Sequence, residues 1–290
     1  MNRGMSLIQS IKRLPLLRRI QWPPTIPVVR LVGAIGETGP LRRGLTLASV
    51  ADALDRAFAI PDVPAVALQI NSPGGSPVQS DLIARRIRQL ADDKDVKVYA
   101  FCEDAAASGG YWLACAADEI YALDSSIVGS IGVVSAGFGF QDLIRRYGVE
   151  RRVHASGERK VILDPFRDED PEDVARLEAL QAEVHDSFKD MVRVRRRGRL
   201  AADESVLFTG EFWSGKRAFE LGLVDGIGEA RTTLRGIHGR RTRLVSVPVS
   251  GSWLKRKLPA GGHIGDVATD WPGELLAAME ERALWQRLGL

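Results

Sequence analysis

The sequence predicts an α/β fold. Short continuous apolar runs alternate along the chain with stretches whose apolar residues recur every three to four positions, the patterns of buried strands and amphipathic helices. Glycine-rich turns, Asn71 to Gly75 and Ser108 to Gly110, stand where a strand gives way to a helix. With 45% hydrophobic and 27% charged residues, the 290-residue chain has a soluble globular composition that excludes disorder and collagen-like repeats.

Val28 to Val32 reads as the first strand. Leu47, Val50, Leu54 and Phe58 fall at helical spacing, and Ala65 to Ile70, bounded by Pro64 and Asn71, reads as a buried strand. Ser76 and Pro77 form a cap and first-turn pair for a helix with Val78, Leu82, Ile83, Ile87 and Leu90 on its apolar face. Val96 to Cys102 is the next strand. Ser108 to Ala117 reads as a helix, Glu119 to Leu123 as a strand, Gln141 to Tyr147 as a helix and Arg151 to Ala155 as a further strand. Asp170 and Pro171 open a long helix in which Val174, Leu177, Val184, Phe188 and Met191 recur. Carried to Arg197 it would be about 40 Å long, enough to reach a neighbouring subunit. Its basic end, Arg193, Arg195, Arg196, Arg197 and Arg199, lacks interleaved aromatic residues and reads as a solvated terminus rather than a phosphate patch. A helix from Ser214 to Leu221 ending at Gly222, a strand around Leu244 to Val249 and an amphipathic helix from Glu274 to Leu288 complete the series.

Charge narrows the classes further. The net charge of +3 is too even to make nucleic acid a main partner. The excess is local, since residues 1–43 carry eight basic side chains against Glu37 alone. Lys12, Arg13, Arg18 and Arg19 interrupt the apolar residues of the first twenty positions, which form neither a transmembrane segment nor a cleavable signal peptide. This arm, residues 1–27, is open to two readings: a docking or disordered segment, or a peripheral membrane contact through residues 1–20. The expected location is cytoplasmic or peripheral to a membrane. Cys102 and Cys115 lack the spacing of a zinc site, and no cluster of ligand-type residues implies a metal or organic cofactor.

Three local sites carry chemistry. At Asn71-Ser72-Pro73-Gly74-Gly75, adjacent glycines let backbone amides turn toward one point, which suits a developing oxyanion; the plain alternative is a strand-to-helix turn. In Ala107-Ser108-Gly109-Gly110-Tyr111, Ser108 opens a helix among small residues, as an exposed nucleophile would, or as a simple helix cap would. No histidine lies between Ser108 and His154, so a lysine becomes the candidate base. Lys160 sits in a loop after Ser156; on local sequence it reads as a surface lysine, and only burial would make it a base.

These motifs, with Gly129-Ser130-Ile131-Gly132-Val133, Ser156 to Lys160 with Pro165, and Leu221-Gly222-Leu223-Val224-Asp225, resemble in order and spacing the signal peptide peptidase A family, peptidase family S49, in its short single-copy bacterial type. The resemblance runs from about Val28 to Ile237 and implies a ClpP/crotonase-like spiral of strand-strand-helix units. It implies a serine endopeptidase with a Ser/Lys dyad: Ser108 as nucleophile, Lys160 as general base, Ser130 orienting the lysine, and the Gly75 and Gly109 amides forming the oxyanion hole. It further implies a homo-oligomer, a dome-shaped octamer, with serine and lysine of one site supplied by adjacent subunits. Extended hydrophobic peptides such as signal peptide remnants are the implied substrates. On this reading residues 28–250 form the peptidase domain and 251–290 a tail with an amphipathic helix.

The chain departs from its relatives in two ways. A basic amphipathic arm stands where many members carry a membrane anchor, and the histidine that the ATP-dependent Clp protease takes after its serine is missing. Two other classes remain open at this point: a catalytically silent membrane-associated scaffold, and an acyl-CoA enzyme of the crotonase fold.

Overall fold

The computed structural model describes residues 23–36, 44–157, 159–249, 279 and 282–290. Strands β1 (Thr25–Val32), β2 (Ala65–Ser72) and β3 (Lys97–Ala107) run parallel at the centre of the sheet, joined by helices α1 (Leu47–Phe58) and α2 (Pro77–Lys94). Alternation along the strands divides the packing. Val66, Leu68 and Ile70 of β2 meet Val50 and Leu54 of α1 and Ile83 and Ile87 of α2 in the main core. Ala65 and Ala67, with Tyr99 and Phe101 of β3, face a second layer closed by Ala230 and Leu234 of a helix at Ala230–His238.

After β3 come α3 (Gly109–Cys115), β4 (Glu119–Ala122) and β5 (Ile127–Gly129), then α4 (Gln141–Arg146) and the long α5 (Pro171–Arg195). The chain closes through α6 (Glu204–Leu207), β6 (Phe212–Ser214), α7 (Gly215–Glu220), β7 (Gly226–Ile227), α8 (Ala230–His238) and β8 (Arg243–Val247). The α/β class expected from the sequence is the one found. The sheet order is β6-β5-β3-β2-β1-β8, with β4 beside β3 and β7 beside β4. β3 is the branch point. It pairs with β4 over Tyr99–Cys102 and with β5 over Ala105–Ala107. Against β2 its register slips, so that Asn71 alone faces the chain between Cys102 and Ala106. The Asn71 side chain closes that bulge, donating to Asp104 at 2.6 Å and accepting from the Ala105 amide at 3.2 Å.

Several expectations are corrected. Arg151 to Ala155 forms no strand; it lies outside the sheet, with no neighbour to pair with among the described residues. β3 continues to Ala107, five residues past the expected Cys102. Val78 and Leu82 are 66% and 38% exposed, because α2 buries Ile83, Ala84, Ile87 and Leu90 instead. Of the arginines closing α5, Arg197 and Arg199 are exposed as expected, but Arg195 and Arg196 are turned inward rather than solvated. Arg196 is 1% exposed, bonds the Gly222 carbonyl through two nitrogens and pairs with Asp225 at 2.6 Å. Arg195 donates to the carbonyls of Cys115 and Ala117 at the end of α3, at 2.8 and 2.9 Å. Of the expected terminal helix, 282–286 is helical, and Trp285 and Leu288 pack on Ala105, Ala107 and Ile127. The basic segment 1–20 and positions 274–278 lie outside the described residues.

Candidate active site

Ser108 stands at the end of β3, after three alanines that are fully buried and too small to obstruct it. Its backbone sits at φ 52°, ψ −121°, a conformation L-residues rarely adopt, which turns the strand abruptly into α3. The side chain forms no capping bond, so the hydroxyl is not spent on the helix. The strained turn is held from both sides. The Ser108 amide donates to the Gly129 carbonyl at 2.8 Å, and every residue of α3 is buried. The Tyr111 hydroxyl donates to the Leu223 carbonyl at 2.8 Å, and Arg195 grips the other end of α3.

The turn after β2 comes up against this serine. A Cβ built on Gly74 would lie 2.7 Å from that of Ser108, and one on Gly109 would collide with the Ser80 hydroxyl and lie 3.5 Å from the Gly74 Cα. Gly75, at φ 140°, faces the Ile35 carbonyl so closely that no side chain fits there. Ile35 anchors the turn by donating to the Gly74 carbonyl and accepting from the Ser76 amide, both at 2.8 Å. Among the described residues neither the Gly75 nor the Gly109 amide donates to a backbone carbonyl. Two free N–H groups beside an uncapped hydroxyl can stabilise an oxyanion formed on a carbonyl that the serine attacks.

Ser130 belongs to the same site. Ala107 pairs with Gly129 across β3 and β5, so Ser108 and Ser130 occupy matching positions where the two strands end. Ser130 is also at positive φ, 54°, with its amide donating to the Glu211 carbonyl at 2.6 Å. Lys160 is elsewhere. It is exposed, its amide donating to the Gly157 carbonyl at 3.2 Å, and no described bond joins it to either serine. Its segment is an arm: from Gly132 to Ser187 none of the described residues is buried. A cavity of about 550 Å³ lies within the arm, between Val153–Gly157 and Val161–Asp173, and Ser108 does not line it.

The structure thus brings together Ser108, Ser130, Gly75 and Gly109 and leaves Lys160 apart. Sequence reasoning missed the bracing: Asn71 closing the bulge, and the Arg196–Asp225 pair beneath the Leu221 to Asp225 motif. The signal for the second was present, since an arginine run at the end of an amphipathic helix can serve buried carbonyls. Cys102 and Cys115 are buried and free, and burial pushes their thiols up to about 12 and about 11, which makes them inert. Among the described residues no group of His, Cys, Asp and Glu could hold a metal ion, and no helix is long and apolar enough to cross a membrane.

The sequence pattern of peptidase family S49 matches residues 90–239. A Brucella abortus protein named Na(+)/H(+) antiporter NhaA is 51% identical over 97% of this chain, which spans 39% of that protein's length. A Synechocystis protein named as a protease is 33% identical over 78% of this chain and 82% of its own. An Enterococcus faecium protein named as a signal peptide peptidase SppA is 29% identical over 78% of this chain and 65% of its own.

Proposed function

The chain belongs to peptidase family S49, and we propose that it is a serine endopeptidase in which Ser108 is the nucleophile and Lys160 the general base. The observation that carries this reading is the uncapped Ser108 hydroxyl on a strained, fully braced turn between two unspent amides. Neutral Lys160 takes the Ser108 proton as the oxygen attacks a peptide carbonyl. The Gly75 and Gly109 amides hold the oxyanion, and the protonated lysine then gives its proton to the leaving amine. Water activated by the same lysine releases the acyl group. Ser130, one strand over, orients the amine.

Lys160 is exposed in the single chain, whereas a lysine base has to be desolvated to be neutral. We assign it to a site completed by a second copy of the chain, in a homo-oligomer of the octameric kind. Support comes from the arm itself, which exposes Val134, Phe138, Leu143, Tyr147 and Val149 to solvent. The substrates of this reading are extended hydrophobic peptides, signal peptide remnants among them, in keeping with the name of the Enterococcus relative.

The test is intact mass after a fluorophosphonate or peptide-aldehyde probe, for wild type, Ser108→Ala and Lys160→Ala. Labelling of wild type alone supports the dyad. An assembled wild type that stays unlabelled near pH 8 overturns it in favour of a silent scaffold or of CoA-ester chemistry on the same fold.

A further inference from the structure

The arm leaves the core after Ile131 and returns along α5, whose first buried residue is Phe188. One side chain joins these two points. His185, half-buried one turn before Phe188, has its Nε2 3.1 Å from the Ile131 carbonyl oxygen. A carbonyl only accepts, so the ring donates from Nε2–H, and that nitrogen has no lone pair to offer as a base. Phe188 stacks on Trp112 of α3 with 4.7 Å between ring centroids, which fixes this part of α5 against the serine-bearing helix.

The turn that His185 reaches is the one that carries Ser130. Gly129 and Ser130 both have positive φ, 112° and 54°, and the Gly132 amide folds back onto the Ser130 carbonyl at 3.0 Å. Besides the strand pairing of Gly129 with Phe212, three bonds among the described residues hold its backbone: the Ser108 amide on the Gly129 carbonyl, the Glu211 carbonyl on the Ser130 amide, and His185 on the Ile131 carbonyl. Only His185 belongs to the strand-free excursion that bears Lys160.

We propose that His185 is a positioning residue. Its bond to Ile131 clasps the base of the lysine arm to the Ser130 turn, setting the angle at which the arm leaves the core and holding Ser130 beside Ser108. This rests on the Ser108/Lys160 reading. One hydrogen bond at the edge of a large apolar core adds little to folding, so its loss is felt in the geometry of the reacting groups.

The experiment compares full-chain wild type, His185→Ala and His185→Gln, whose amide N–H reaches about as far as Nε2. For each, kcat and KM on a fluorogenic apolar peptide, the rate of fluorophosphonate labelling, assembly mass and Tm are measured. In His185→Ala, kcat and labelling rate should fall about tenfold with KM within about twofold, and His185→Gln should recover most of the loss at unchanged mass and Tm. If alanine matches wild type, or if alanine and glutamine fall together, the clasp is overturned while the dyad stands. A folded, assembled wild type that neither cleaves nor labels overturns the dyad reading and the positioning role with it.

Discussion

The serine side and the lysine side of the candidate site are built by opposite means. Around Ser108 every residue of α3 is buried, and the turn is tied to Gly129, Leu223 and Arg195. Around Lys160 none of the described residues from Gly132 to Ser187 is buried. On the proposed Ser108/Lys160 reading, the difference follows from what each group needs. A backbone strained at Ser108 costs on the order of 1–3 kcal/mol and persists only where packing over-determines it. A base needs only to be brought into place and desolvated, which an exposed arm achieves once another surface covers it.

The sharpest way to break this comparison is to mix subunits. Ser108→Ala and Lys160→Ala should each lose about 10³-fold or more in peptidase rate. Co-assembled in equal amounts, they should regain up to about a quarter of wild-type rate if serine and lysine come from different copies. A mixture as inactive as its components would return Lys160 to its own chain.

The next effect is on the stability of the serine side. Asp225→Ala leaves the Arg196 guanidinium, 1% exposed, without its charged partner, and should cost about 3–5 kcal/mol in chemical denaturation. A value under about 1 kcal/mol would make that pair incidental to the mould around Ser108. On the arm the expectation reverses. Phe138 is 80% exposed, so Phe138→Ser should change the stability of the isolated chain by no more than about 0.5 kcal/mol while lowering the assembly mass measured by light scattering.

The smallest effect separates the two regions by pH. The Arg151 guanidinium beside Asp164, at 2.8 Å, holds that carboxyl below its ordinary value of 3.8. The pair's support of the arm is therefore complete above that value and lost as pH falls through the depressed one. Hydrogen exchange should show acid loosening 151–167 before the core. Arg151→Ala should move the onset upward, and simultaneous loosening of α3 would contradict the separation.

Much of the core was legible because its periods are those of its burial. The apolar run from Ala65 and the Leu47 to Phe58 spacing each became the element they implied. The three-residue strands β5 and β6 escaped, since only their pairing with β3 and with each other makes them strands. Arg151 to Ala155 erred the other way: its residues suit a strand, but the arm carries it away from any partner among the described residues. Val78 and Leu82 fit the helical period of α2, yet among the described residues that face has no layer over it. In the site, the glycines and serines were readable as residue types that permit a tight turn. The Ser108 conformation and its missing cap bond were not.

The sequence by itself determined the α/β alternation, the glycine turns after β2 and β3, and which serine and lysine are the candidates, because period and residue type are local properties. Only the tertiary structure decided that Ser108 and Ser130 share one strand end and that arginines brace the serine helix from beneath. It also decided that Lys160 stands off on an exposed arm, because burial and contact depend on which distant segments the folded sheet brings together.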